Sequence, residues 1–308
     1  MSTSAPFLPD LWIIVTLLAA AFQTVRFMLQ KVLAAATLSP AGATFSRFIY
    51  SAPFIALLLV VYLRATQADV PPLGLRFWAF GLLGGVSQIL ATVCVVALFK
   101  ERNFAVGITF KKTEVIQTVL VGVLLLGEVV SWGGFAAIAL GLAGLLILSG
   151  GKGASGFHLS DLRNRAAGLG IASGVLFAFS AVSYRGASLT LATDDPLLRA
   201  GVTLMAVVLM QTGIMAVWLR LREPAQIGAV WQARRVAIWI GLTSMGGSLC
   251  WFIAFTLQNA AYVKALGQVE LILSILASTL FFREKISARE ACGMAILIAS
   301  ILLLVLAI

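Results

Sequence analysis

The sequence predicts an all-α integral membrane protein of ten transmembrane helices, arranged as two inverted five-helix repeats. Three observations carry that prediction. Of 308 residues, 61% are hydrophobic and only 11% charged, and the mean hydropathy is +1.03; a water-soluble chain of this length cannot hide so much apolar surface in one core. The apolar residues fall into runs of about 20, which a helix rising 1.5 Å per residue needs to cross the hydrocarbon. The chain also repeats: a shift of 156 positions pairs Pro40 with Pro196, Cys94 with Cys250, Phe99 with Phe255, Asn103 with Asn259, Glu114 with Glu270 and Ser131 with Ser287.

In order, the first five spans run from Leu11 to Leu33, Ala41 to Leu63, Leu75 to Phe99, Asn103 to Leu126 and Trp132 to Ser149. The second five run from Ala166 to Leu189, Pro196 to Leu219, Arg235 to Leu257, Asn259 to Phe282 and Ser287 to Ile308. Residues 1–150 therefore form the first repeat, the Gly- and Ser-rich stretch 151–165 a linker, and 166–308 the second repeat. An odd number of helices per half sends the second half into the membrane from the opposite side, which makes the repeats inverted. No basic n-region precedes the first apolar run, so it is expected to be a retained helix rather than a cleaved signal.

The loops sort by charge. Loops after the first, third, fifth, seventh and ninth spans hold thirteen Lys and Arg, among them Lys100, Arg163, Arg222, Arg234 and Lys285, against only Arg64, Arg76, Arg185 and Arg199 on the other side. By the positive-inside rule both termini are expected in the periplasm of a bacterial inner membrane. Trp12, Trp78 and Trp132, at span entrances on that outer side, fit an interfacial aromatic belt. The net charge of +10 reflects the same loop bias, with no basic run and interleaved aromatics to suggest nucleic acid.

Several chemistries lack their residues. Around Gly151-Lys152, Leu146 stands where a P-loop needs its first Gly and Gly153 where it needs Ser or Thr. Ser248 lies in GGSLC without the flanking pattern of an intramembrane serine protease, and the single His158 is in the linker. Cys94, Cys250 and Cys292 lie in apolar stretches without metal-ligand spacing. The reading is of a chain that is not an enzyme and takes no cofactor.

Charges inside the spans point to the interior. A charge at the bilayer centre costs about 2.5–3.5 kcal/mol even on mild insertion scales, so Arg26, Arg47, Lys111, Lys112, Lys264, Glu114 and Glu270 are expected to face protein or water. Lys111 and Glu114 share one face of the fourth span with Gly107, Gln117 and Thr118. That stripe borders either a binding cavity or an ion pair holding the fourth and ninth spans together. The second half does not repeat it: Lys264 and Glu270 lie on different faces, and Gly267 and Gln268 stand where Lys111 and Lys112 would fall. Such asymmetry suits a solute with asymmetric polar groups, such as an amino acid.

Further polar positions complete the candidate substrate site. The first span presents Gln23, Arg26 and Gln30 on one face, and the sixth presents Phe177, Ser180 and Tyr184. The third offers Gln88 and Thr92, the eighth Ser244, Ser248 and Trp251. Interhelical hydrogen bonding is the simpler role for any one of these hydroxyls. Glu128 and Glu284, each three residues before a Ser, read as parts of capped turns, with Ser287 and Glu290 as a capping box. Small residues at Gly81 and Gly85, Gly170 and Gly174, and Gly133, Ala137 and Gly141 read as close-packing sites.

The fourth and fifth spans, AVGITFKKTEVIQTVLVGVLLLGEVVSWGGFAAIALGLAGLLIL, resemble the drug/metabolite transporter superfamily in its ten-helix EamA form. The matching features are Gly127-Glu128 at the end of a central helix, a short polar turn and a Gly-rich helix after it; in the second half Glu284 matches while Arg283 replaces the Gly. Arg47, after Ser39-Pro40, also resembles the family pattern. Many members carry Pro after the mid-helix Glu of the fourth and ninth helices, where this chain has Val115 and Leu271. The resemblance implies a monomeric secondary transporter of small metabolites working by alternating access. A looser likeness to the YddG-type exporters suggests efflux of aromatic and other amino acids. Proton-coupled efflux of drugs or cations is the alternative within the class, and a channel or membrane-embedded enzyme the alternative outside it.

Overall fold

The computed structural model describes residues 11–34, 38–98, 110–149, 165–282 and 287–308. The helices are α1 (Leu11–Ala34), α2 (Pro40–Thr66), α3 (Leu75–Leu98), α4 (Glu114–Leu126), α5 (Trp132–Ser149), α6 (Arg165–Leu189), α7 (Pro196–Arg222), α8 (Pro224–Gln232), α9 (Arg234–Leu257), α10 (Ala260–Leu266), α11 (Val269–Phe282) and α12 (Ala288–Ala307). Judged on the described residues, six of them are long and apolar enough to cross a membrane. The outer faces of the bundle leave large apolar side chains exposed, including Leu57, Val61, Leu124, Leu221, Leu302 and Leu306, as lipid allows and water does not.

Helix pairing follows the duplication. The most extensive contacts are α3 with α6, α1 with α9, and α5 with α12, and α2 also packs against α7. Exchanging the halves turns the first pair into the second and each of the others into itself. The capping residues give the sense of the pairing. Ser39 and Asp195, 156 positions apart, each cap a helix that begins with Pro: Ser39 accepts from the Gly42 N–H, and Asp195 from the N–H groups of Leu197 and Leu198. Ser39 Oγ also donates to Glu223 at 2.5 Å, just past the end of α7, while Asp195 accepts from Tyr62 at 2.5 Å, near the end of α2. Each helix thus begins where its equivalent ends, so α2 and α7 run antiparallel. The α5–α12 pair does the same, with Gly133 against Ala307 at one end and Gly144 against Gly293 at the other. Gly141 faces Ser300, whose hydroxyl donates to the Ala137 carbonyl at 2.8 Å. A side chain at Gly81, by contrast, would meet nothing within 4 Å, so close packing is not its role.

Both central spans are broken rather than continuous. Helical geometry lapses at Lys112–Thr113 in the fourth and at Gly267–Gln268 in the ninth, nearly equivalent positions. No proline is needed. A break inside a membrane must satisfy its freed carbonyls locally, and Thr113 Oγ1 donates to Phe110 O at 2.7 Å while Gln268 Nε2 donates to Lys264 O at 3.3 Å. Glu114 and Glu270 then fall in the first turns of α4 and α11, where a helix N-terminus favours negative charge.

Other expectations are corrected. Trp12 is buried against the core and no belt residue, because α1 packs along α9; Trp78 and Trp132 remain exposed. The seventh and eighth spans are separated by a helix that hydropathy missed, α8, which starts at Pro224 and is held by Tyr50 Oη donating to the Val230 carbonyl at 3.1 Å. Glu128 is more than a turn residue. Its carboxylate takes Arg185 Nε at 2.7 Å, and Arg185 Nη1 reaches the carbonyls of Phe255 at 2.6 Å and Gln258 at 2.8 Å at the end of α9. A guanidinium there satisfies orphan carbonyls and the helix dipole together. The preceding Gly127 ends α4 at φ 67°, a left-handed conformation that glycine adopts without strain. Ser287 and Glu290 do form the capping box, whereas Glu284, linker residues 151–164 and Gly107 lie outside the described residues and Arg165 already belongs to α6.

Candidate functional site

Two polar clusters occupy the middle of the bundle. Both meet one stripe of α9, on which Ser244, Ser248, Trp251 and Phe255 succeed one another at helical spacing.

The first centres on Glu114, which is buried with 4% exposure. Its two oxygens meet different lysines, Lys111 Nζ at 3.3 Å and Lys264 Nζ at 2.5 Å. Lys111 belongs to the same half, Lys264 to the other. The Lys264 ammonium also stands 5.8, 5.4 and 5.9 Å from the ring centroids of Phe177, Trp251 and Phe255, so that three aromatic faces surround it. Trp251 and Phe255 stack at 5.8 Å. Glycines set this geometry: a side chain at Gly267 would strike Trp251, and one at Gly174 would strike Gln117 and crowd the Lys111 carbonyl at 3.2 Å. Gln23 links the cluster to the second break, its amide donating to Glu270 and accepting from Trp251 Nε1 at 3.3 Å. Arg26 lies buried within electrostatic reach of Glu270.

The second cluster surrounds a cavity of about 10 Å³ lined by Arg47, Gln88, Gln211, Ser244, Ser248 and Phe252, among others; it has room for about one water. Arg47 is buried, and its hydrogen-bond partners are neutral: Nε donates to Ser244 Oγ at 2.7 Å and Nη2 to Ser248 Oγ at 3.4 Å. Across the cavity Gln211 Nε2 donates to Gln88 Oε1 at 2.8 Å and to the Gly85 carbonyl at 3.1 Å, and Tyr184 Oη donates to Gln88 Oε1 at 3.1 Å. Tyr184 stacks on Phe252 at 4.5 Å, seated against Gly84, and the buried Ser180 lies one turn before it on α6.

The expected residues divide between these clusters and positions outside them: Thr92 donates only to the Gln88 carbonyl of its own helix, and the Gln30 side chain lies outside those described. Gln23, Arg26, Lys111, Glu114, Trp251 and Glu270 belong to the first, and Gln88, Ser180, Tyr184, Ser244 and Ser248 to the second. Phe177 and the interior charge Lys264 also join the first cluster and Arg47 the second, and the structure adds Phe255 to the first and Gln211 to the second. Gln211 was legible as a lone amide in the apolar run VTLMAVVLMQTGIMAV. Lys112 turns elsewhere, onto a second cavity of about 10 Å³ with Ala265, Gln268 and Ser300.

Comparison with known proteins agrees with this architecture. No curated protein sequence matches the chain. A solved structure titled only "Crystal structure of protein" superposes with a TM-score of 0.67 over 94% of this chain and 98% of its own at 18% identity, a likeness of fold alone. The EamA-like transporter family matches twice, over residues 10–150 and 164–306. With a helical bundle clad in apolar side chains and its charges held at the centre, the chain belongs to the EamA-like transporter family, membrane transporters of small solutes rather than enzymes.

Proposed function

We propose that this transporter exports small zwitterionic metabolites, amino acids foremost and aromatic ones among them, by alternating access of two inverted repeats across a bacterial inner membrane, with both termini on the periplasmic side. The observation that carries this reading is Arg47. A buried guanidinium is expensive unless an anion answers it, yet among the described residues Arg47 has hydroxyl partners and no carboxylate, and it borders a cavity. A solute carboxylate supplies the missing charge through two parallel N–H bonds. This role passes to Arg47 because Lys111 is engaged with Glu114 and Lys112 faces the other cavity. Tyr184 and Phe252 offer a stacked aromatic wall to the solute's side chain.

The cavity's size and its walls support alternating access. Room for one water does not hold an amino acid, so the walls must part. They come from both halves, α2 and α3 against α7 and α9. Polar contacts close each end of the bundle: Ser39 with Glu223 and Gln226 at one, and Tyr62 with Asp195 and Glu128 with Arg185 at the other. Opening these in turn exposes the cavity to each side.

The test is counterflow of labelled phenylalanine and a panel of other amino acids in proteoliposomes, with and without a pH gradient. Saturable exchange is expected in the wild type and none in a normally folded Arg47→Gln variant. Absence of saturable exchange for every amino acid, or equal exchange by Arg47→Gln, overturns the proposal.

A further inference from the structure

Lys264 is more elaborately held than a structural counter-ion requires. Glu114 already has a counter-charge three residues away in Lys111, so Lys264 adds a second cation where one is enough. Its ammonium nonetheless lies against three ring faces, Phe177, Trp251 and Phe255, and meets the Glu114 carboxylate at 2.5 Å, sharing Phe177 and Glu114 with Lys111. Rings that gather round a cation with a carboxylate beside them form a receptor for an ammonium group, because the ring quadrupoles and the carboxylate all favour positive charge there and exclude water. Here the guest is the chain's own side chain.

Position makes that guest exchangeable. Lys264 is in the last turn of the seven-residue α10, three residues before the break at Gly267–Gln268. A lysine carries its charge on a flexible four-carbon stem, and a helix that stops beside it adds backbone freedom. The box also lies on the same stripe of α9 as the Arg47 cavity, Trp251 being three residues from Ser248. An ammonium and a carboxylate on one solute would thus meet neighbouring turns of one helix.

The geometry points to the box of Phe177, Trp251, Phe255 and Glu114 as the binding site for a solute's ammonium group, with Lys264 as the intramolecular occupant that the solute displaces. This deepens the zwitterion reading above and rests on it for the identity of the solute, though not for the box itself. Displacement moves Lys264 and hence α10 at the break, so binding is coupled to the central span of the second half.

The experiment titrates purified wild type, Lys264→Met and Lys264→Met/Phe177→Leu with tetramethylammonium chloride and with neutral 3,3-dimethylbutanol, following tryptophan fluorescence and melting temperature. Lys264→Met frees the Trp251 and Phe255 faces and one Glu114 oxygen, Lys111 remaining on the other oxygen and over Phe177, and tetramethylammonium is expected to bind there at least tenfold more tightly than to the wild type. The added Phe177→Leu change should weaken that binding at least fivefold, and the neutral probe should have no effect. A second measurement needs no variant: saturating tetramethylammonium should raise acetic anhydride labelling of Lys264 in the wild type at least threefold, leaving the other lysines unchanged. Equal responses of wild type and Lys264→Met, no response in either, a response to the neutral probe, or unchanged Lys264 labelling each overturn the inference. Run beside the counterflow assay, the outcomes separate. Tetramethylammonium binding without amino-acid exchange keeps the box and removes the transport reading, and exchange with an unresponsive box does the reverse.

Discussion

The Glu114 cluster and the Arg47 cavity touch the same stripe of α9 and handle buried charge in opposite ways. Around Glu114 the protein supplies both signs, with two ammonium groups on one carboxylate and Gln23 tying Glu270 to the aromatic box. Around Arg47 it supplies one sign and a set of neutral hydroxyls and amides. The first arrangement answers its carboxylate from within the protein and fastens the two halves together, since Glu114 and Lys264 come from different repeats. The second leaves a charge for something that arrives from outside. Buried charge alone therefore does not mark a substrate group; what distinguishes one is whether the protein has already answered it.

Glu114→Gln is the substitution that should strain this contrast most. It leaves Lys111 and Lys264 without a counter-ion, and removing one partner of a buried pair costs about 3–5 kcal/mol. Melting of the detergent-solubilised protein should show a deep loss, partly recovered when Lys264→Met is added. An unchanged melting temperature would mean that the cluster is hydrated and the halves are held elsewhere.

Gln211→Leu probes the neutral wall of the Arg47 cavity. It strips Gln88 Oε1 and the Gly85 carbonyl of a donor, at about 1–3 kcal/mol for buried groups left unsatisfied. Chemical denaturation should register a loss smaller than that of Glu114→Gln. A larger one would make the neutral network, rather than the ion pairs, the main fastening.

Lys111→Met should cost least, below about 1 kcal/mol, because Lys264 still answers Glu114 and Lys111 is the more exposed of the two charges in its own pair. Thermal melts that fall as far as those of Glu114→Gln would reverse the ranking of the two lysines.

Much of this was legible in the sequence, and the losses have physical causes. Hydropathy located the long spans because lipid imposes a length and an apolar composition on each helix. The 156-residue register predicted which helices are equivalent, and the capping prolines at Pro40 and Pro196 sit at matching helix starts. The breaks at Lys112–Thr113 and Gly267–Gln268 were not visible, since side-chain hydrogen bonds from Thr113 and Gln268 replace the proline that would have announced them. α8 escaped because nine residues are too few to span a bilayer. Pairing was the hardest feature to see. Lys111 with Glu114 follows from a three-residue spacing within one span, whereas Lys264 with Glu114 and Arg185 with Glu128 join segments far apart in sequence, which periodicity within a span does not report.

The claim at the centre of this account is that Arg47 holds a charge meant for a solute carboxylate. The most direct measurement is the melting temperature of wild type and Arg47→Gln with increasing phenylalanine or phenylalaninamide, which keeps the ring and the amine but lacks the carboxylate. Ligand that binds only the folded state stabilises it in proportion to the logarithm of its saturation. The account predicts that phenylalanine raises the melting temperature of the wild type, that phenylalaninamide does so weakly or not at all, and that Arg47→Gln responds to neither. Equal stabilisation of the wild type by acid and amide, or a full response to phenylalanine in Arg47→Gln, would contradict it.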